Sequence, residues 1–308
     1  MIVDTVVSAL HSAPGWELYF TMAALTAVCF LIGIVAVAAG VGGGVLFVPL
    51  VSALFPIHID YVRGAGLMVA LVGAISAAPS LMRRGFSDVR ISIPLALCGS
   101  VGSVIGAQFG LSIPSDVVLA LLATSMFFVA GHTARQVIAP PAGDDAPRGE
   151  ATTATAGGSR LSDRIASLWR LRGAYRDPAT GETLRWRVRR IVPAMTTFIG
   201  VGGIGGVLGI GAGWANVPIL ASMMGLPIKL AAATSGLVII ANSSAAAWVY
   251  LHRGAIRPLV VVPALAGMIA GTRVGARILG KAKARSVRIV VIVVLTSAAI
   301  QTLIGVLS

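Results

Sequence analysis

Apolar residues run along this chain in long blocks, and a helix needs about 20 of them to cross the hydrocarbon core of a bilayer. Blocks of that length fall near 18–39, 62–82, 90–110, 116–138, 191–210, 231–251, 257–279 and 287–307. Two shorter ones, near 44–56 and 213–225, each follow a glycine cluster and contain a proline, Pro49 or Pro218. The pattern predicts an all-α integral membrane protein of about ten segments, the two short ones being helices broken by glycine.

Between the fourth and fifth long blocks the character changes. Residues 139–159 are Pro, Gly, Ala and Thr with scattered charge, a composition that cannot build a core and reads as a disordered linker. Beyond it Leu161, Ile165, Leu168 and Trp169 share one helical face while Arg164, Arg170 and Arg172 are polar, the pattern of a short basic helix on a membrane surface. Residues 177–181 (Asp-Pro-Ala-Thr-Gly) are a turn signal, and the alternation Leu184, Trp186, Val188 follows, which predicts a small hairpin over 172–190. The domains are thus 1–138, a loop at 139–190, and 191–308.

The two membrane parts repeat. A shift of 169 positions places Gly40, Gly42 and Gly44 on Gly209, Gly211 and Gly213, and Val48-Pro49 on Val217-Pro218. It also matches Arg84-Gly85 with Arg253-Gly254, Pro94 with Pro263, Gly102 with Gly271, and Gly106-Ala107 with Gly275-Ala276. If every segment crosses, each half has five spans and the halves are inverted. With the central loop inside, the remaining inner loops hold Arg83, Arg84, Arg90, Lys229, Lys281, Lys283, Arg285 and Arg288, against Arg63, Arg253 and Arg257 outside. Re-entrant short segments would leave no such excess, so the positive-inside rule selects two inverted five-segment repeats with both termini outside.

Composition agrees with this class. The chain is 56% hydrophobic and 11% charged, with a mean hydropathy of +0.91, far from the roughly one-quarter charged residues of soluble domains. The net charge of +13 does not mark a nucleic-acid binder: ten arginines lie between Arg148 and Arg190, and most other Lys and Arg flank apolar blocks. Asp4 and Glu17 precede the first block without a basic stretch, so it is expected to remain as a span. Cys29 and Cys98 each sit alone in an apolar run, and neither a disulfide nor a metal centre is expected from them. No cofactor is implied, and oligomeric state is not legible.

Inverted repeats that each contain a Gly/Pro-interrupted short segment are the pattern of secondary transporters, whose substrate sits near the bilayer midplane where broken helices present their N-termini. The candidate binding residues are therefore Gly42, Gly43 and Gly44 with Pro49, and Gly211, Ala212 and Gly213 with Asn216 and Pro218. Asn242 and Ser243 offer side-chain donors in the following segment. Arg273 and Arg277 share one face near the end of another, and Arg273 is the deeper. All eleven acidic residues fall in termini, loops or segment ends. Cation-coupled carriers usually keep a carboxylate in the bilayer, so the expected substrate is a small anion and the other partner is membrane lipid. Gly110, at a segment end, is expected to tolerate a larger side chain better than the two breaks do. No serine elbow, zinc motif, phosphate loop or paired intramembrane aspartates is present, so no catalytic residue and no enzyme activity is expected. The alternatives are an intramembrane enzyme, a carrier for a different anion or a cation, and a lipid-binding scaffold.

The segments Gly40-Val41-Gly42-Gly43-Gly44-Val45-Leu46-Phe47-Val48-Pro49 and Leu208-Gly209-Ile210-Gly211-Ala212-Gly213, running on to Asn216-Val217-Pro218, resemble the doubled glycine-rich signature of the TauE/SafE sulfite exporter family. The 177–181 turn and Arg185-Trp186-Arg187-Val188 are also similar to that family's central loop. The resemblance implies an inner-membrane permease for sulfite, organosulfonates or related sulfur oxyanions. Ala212 in place of the glycine at position 43, and Trp214 after Gly213, depart from exact symmetry and imply a narrower second site.

Overall fold

A computed structural model of the protein describes residues 15–39, 42–82, 89–138, 172–176, 183–188 and 190–278, with single positions 293, 296, 299 and 300. The first half holds α1 (Gly15–Ala39), α2 (Gly43–Leu54), α3 (Ile59–Met82), α4 (Val89–Gly110) and α5 (Ser115–Ile138). A hairpin of β1 (Arg172–Arg176) and β2 (Thr183–Arg187) follows. Its strands pair antiparallel with Gly173 opposite Trp186. The second half holds α6 (Ile191–Leu208), α7 (Gly213–Pro218), α8 (Ile228–His252) and α9 (Pro258–Ile278). Among the described residues six helices, α1, α3, α4, α6, α8 and α9, are long and apolar enough to cross a membrane. The expected linker, the basic surface helix and nearly all of the last segment lie outside the described residues.

Element boundaries repeat at the same 169-residue offset as the sequence. Ile59 and Ile228 open α3 and α8, Val89 and Pro258 open α4 and α9, and Ala39 and Leu208 close α1 and α6. The short helices differ more. Pro49 is accommodated inside α2, whereas α7 ends at Pro218 and widens into a π turn over Ile219–Met223. A proline has no N–H to continue the i→i−4 ladder, and here the chain re-forms its bonds one residue wider, Met224 N donating to Ile219 O at 3.3 Å.

The tightest contacts join the first helix of one half to the fourth of the other. In α4 against α6, a Cβ on Gly102 would strike the backbone of Ile199, and one on Gly106 that of Gly203. In α1 against α9, a Cβ on Gly271 would strike Phe30, and one on Gly275 Ile34. These are the same contacts shifted by 169. Glycine at such faces lets two backbones touch, the usual source of helix association where lipid is as apolar as the side chains. Between these pairs α3 and α8 cross antiparallel: Arg63 near the start of α3 lies 5.4 Å over the ring of Tyr250 near the end of α8, and Ala70 and Ser243 further along both border Gly211.

Two apolar cores flank that crossing. One gathers Cys29, Phe47, Val62, Leu122 and Met268 from α1, α2, α3, α5 and α9. The other gathers Leu95, Phe198, Leu220, Met224 and Val238 from α4, α6, the α7 region and α8. Outside, Phe20, Leu97, Phe109, Phe128, Trp248 and Val262 are well exposed, the apolar belt that a lipid-facing surface requires.

Two expectations are corrected. The hydropathy block near 62 begins nearly a turn late, because the polar Asp60 and Tyr61 interrupt the apolar run; α3 starts at Ile59. Arg63, counted among the outer-loop charges, is therefore within the helix and fully buried. Gly110 is no neutral position either: a Cβ there would stand 2.5 Å from the Arg63 guanidinium and 2.9 Å from Val207 Cα.

Candidate functional site

The two glycine segments meet. Gly42 precedes α2 at φ 85°, and Gly209 and Gly211 precede α7 at φ 69° and 65°, backbone conformations that only glycine adopts without strain. A Cβ on Gly42 would lie 4.0 Å from Gly213 Cα and 3.6 Å from Ile239 Cδ1 of α8, ordinary contact distances that place Gly42 against both the second segment and α8. Gly44 has a different role. A Cβ on it would fall 2.6 Å from Ile210 O and 2.9 Å from Gly66 O, so this glycine lets the two breaks close on one another. Gly43 packs on Met268 and Val69, and Pro49 is buried further along α2.

On the second side, Gly211 faces Ser243, whose Oγ would be 2.9 Å from a Cβ at that position. Ala212 is buried and its carbonyl accepts from the N–H groups of Ala215 and Asn216, each at 3.3 Å. Asn242 lies against Gly99 of α4, and its Oδ1 accepts from Ser100 Oγ at 3.4 Å. Pro218 closes α7. Arg273 is on the exposed face of α9, apart from this group. The side chain of Trp214 lies outside the described residues.

What distinguishes the region is polarity without partners. Asn216 Nδ2 and Oδ1, Thr234 Oγ1, Ser235 Oγ, Asn242 Nδ2 and Ser243 Oγ are all buried and make no hydrogen bond within the protein. A buried orphan polar group costs about 1–3 kcal/mol, so six such atoms on α7 and α8, which pack on one another, call for polar partners. All belong to α7 or α8, and their positions 169 residues earlier hold Phe47, Ala65, Gly66, Gly73 and Ala74. The polar equipment is therefore one-sided, a larger asymmetry than the Ala212 departure.

Thr234 and Ser235 escaped the sequence reading. A signal was present: Ser235 and Asn242 are seven residues apart, which returns to nearly the same helix line, and Thr234 and Ser243 flank that line within one broad face. In an apolar span that repetition of adjacent polar pairs marks a lined stripe.

A profile of the Sulfite exporter TauE/SafE family matches residues 25–302. A "Probable membrane transporter protein ORF9" from Sinorhizobium sp is 31% identical over 106 residues, 34% of this chain and 39% of that relative. No solved structure matches. The family and the relative point to a membrane transporter rather than an enzyme. Because the match runs from α1 to beyond α9, across both glycine segments and the stripe on α8, the chain belongs to the sulfite exporter TauE/SafE family.

Proposed function

We propose that this protein is a secondary permease of the inner membrane that carries a small sulfur oxyanion, sulfite or an organosulfonate, bound where the two glycine segments meet α8. The observation that carries this reading is the set of six unpartnered polar atoms on Asn216, Thr234, Ser235, Asn242 and Ser243. An oxyanion entering the bilayer loses several kcal/mol of hydration. A helix N-terminus returns about 0.3–1 kcal/mol, whereas each hydrogen bond to a charged acceptor returns about 1.5–3 kcal/mol. Hydroxyl and amide donors of α7 and α8, with the free N–H groups at the start of α2, are enough to balance that loss.

The antiparallel crossing of α3 and α8, which are repeat counterparts, supports an inverted five-plus-five arrangement. The charge count supports a cytoplasmic central loop with outer termini. In that orientation an inside-negative potential drives a monovalent anion outward with about 2.3 kcal/mol per 100 mV, so export needs no coupling ion. Protein reconstituted in liposomes should release radiolabelled sulfite or a small sulfonate unchanged, and faster when the potential is negative on the cytoplasmic side. Chemical conversion without movement, or flux indifferent to a panel of sulfur oxyanions, would overturn the reading.

A further inference from the structure

Arg63 is a cation buried in a membrane helix, and the proposed site does not use it. Its side chain is 1% exposed. It donates to Asp60 Oδ1 at 2.8 Å, to the carbonyl of Gly110 at 3.3 Å and to the carbonyl of Val207. Gly110 ends α4 and Val207 lies in the last turn of α6, so the guanidinium meets the negative ends of two helix dipoles. Tyr250 of α8 lies beneath it and donates to Gly206 O at 3.1 Å and Val207 O at 3.3 Å.

The placement of these partners matters more than their number. Arg63 belongs to α3, part of the core built by α1, α2, α3, α5 and α9. Gly110, Val207 and Tyr250 belong to α4, α6 and α8, whose opposite ends meet in the second core, while Val207 also packs against the first. Arg63 is therefore a polar tie between these helices at one end of the α3/α8 crossing, set beside the apolar cluster of Leu67, Ala107, Ala246 and Tyr250. The repeat does not copy this tie: the counterparts of Arg63, Asp60 and Tyr250 are Ala232, Lys229 and Leu81. Ala70, seven residues or about 10 Å further along α3, already borders Gly211 and Gly44.

The geometry points to Arg63 as a gating residue: its bonds to the ends of α4 and α6 hold the seam between α3 and these helices shut at that end, and transport requires their release. The inference rests on reading the seam as the substrate path.

The test uses the full chain in membrane vesicles, with Cys29→Ala and Cys98→Ala and a reporter, Ala70→Cys. An impermeant methanethiosulfonate is applied to each face in turn. Arg257, exposed at the Arg63 end and stacked on Tyr61, supplies the face marker as Arg257→Cys in a separate chain. From that face the reporter should react slowly with Arg63 present. Arg63→Ala should accelerate it roughly tenfold or more, the weight of losing one charge-assisted hydrogen bond. Arg63→Lys, which keeps the charge but not the fork, and Tyr250→Phe should fall between. Equal acceleration from both faces would mean general loosening and overturn the gate. Should Arg63→Ala not fold, unchanged rates in both Arg63→Lys and Tyr250→Phe would overturn it too. The reporter needs no sulfite, so a protein that gates but fails to bind sulfite rejects the substrate and keeps the gate.

Discussion

Replacing Gly102 with leucine should leave little folded protein, and Gly271→Leu should do the same. Each glycine lies at its helix crossing, where a Cβ would meet the backbone of Ile199 or Phe30 respectively. Backbone cannot rotate away as a flexible side chain can, so the helices must separate along their whole contact. Overpacking of this kind costs about 3 kcal/mol or more. Gly200→Leu is the control, because nothing lies within 4 Å of a Cβ there, and its effect should stay within about 0.5 kcal/mol. Thermal unfolding in detergent, followed by size-exclusion fluorescence, measures all three. Equal tolerance at Gly102 and Gly200 would show that the fold is not built on these crossings.

The second large effect is a split in sign. Ser243→Ala and Thr234→Val each remove a buried hydroxyl that has no partner in the protein. The unliganded protein should therefore become more stable, by up to about 1 kcal/mol for each change. The same changes remove donors to the anion, so affinity should fall roughly tenfold or more per lost bond. Ligand stabilises a protein by about RT ln(1 + [L]/Kd), and melting with and without sulfite reads both quantities in one experiment. A purely structural hydroxyl predicts the opposite pair: lower intrinsic stability and unchanged stabilisation by sulfite.

Much of the architecture was legible because membrane helices are long and their ends carry punctuation. Gly43, Gly213 and Pro258 stand at the first residues of α2, α7 and α9, and the 169-residue repeat fixed their correspondence. The inner and outer faces were not legible. Phe47 is fully buried and Phe109 is 67% exposed, yet both suit an apolar block, because lipid and core select the same side chains. Pairing across the halves was hidden for a related reason: Gly102 and Gly271 repeat visibly, but nothing in the sequence says that they touch Ile199 and Phe30 rather than each other. The burial of Arg63 leaves no mark in the sequence, because its partners include the carbonyls of Gly110 and Val207, and backbone acceptors carry no residue signature.

The residues of the proposed site were half visible. Glycine clusters and Asn242-Ser243 are visible in the sequence, but the contact of Gly44 with Ile210 and Gly66 is not, nor is the burial of Thr234 and Ser235. Only burial revealed them, since a hydroxyl on a helix is commonplace until its partner is found to be missing.

The central claim is a location, and selenite, a heavier analogue of sulfite, can report it. The measurement is the anomalous selenium position in crystals of the full chain grown with selenite. The account predicts density bordered by Gly42, Gly211 and Ser243, within hydrogen-bond distance of at least one of the unpartnered atoms on α7 or α8. Density beside Arg273 on the exposed face of α9, with the space between the glycine segments holding only water, would contradict it.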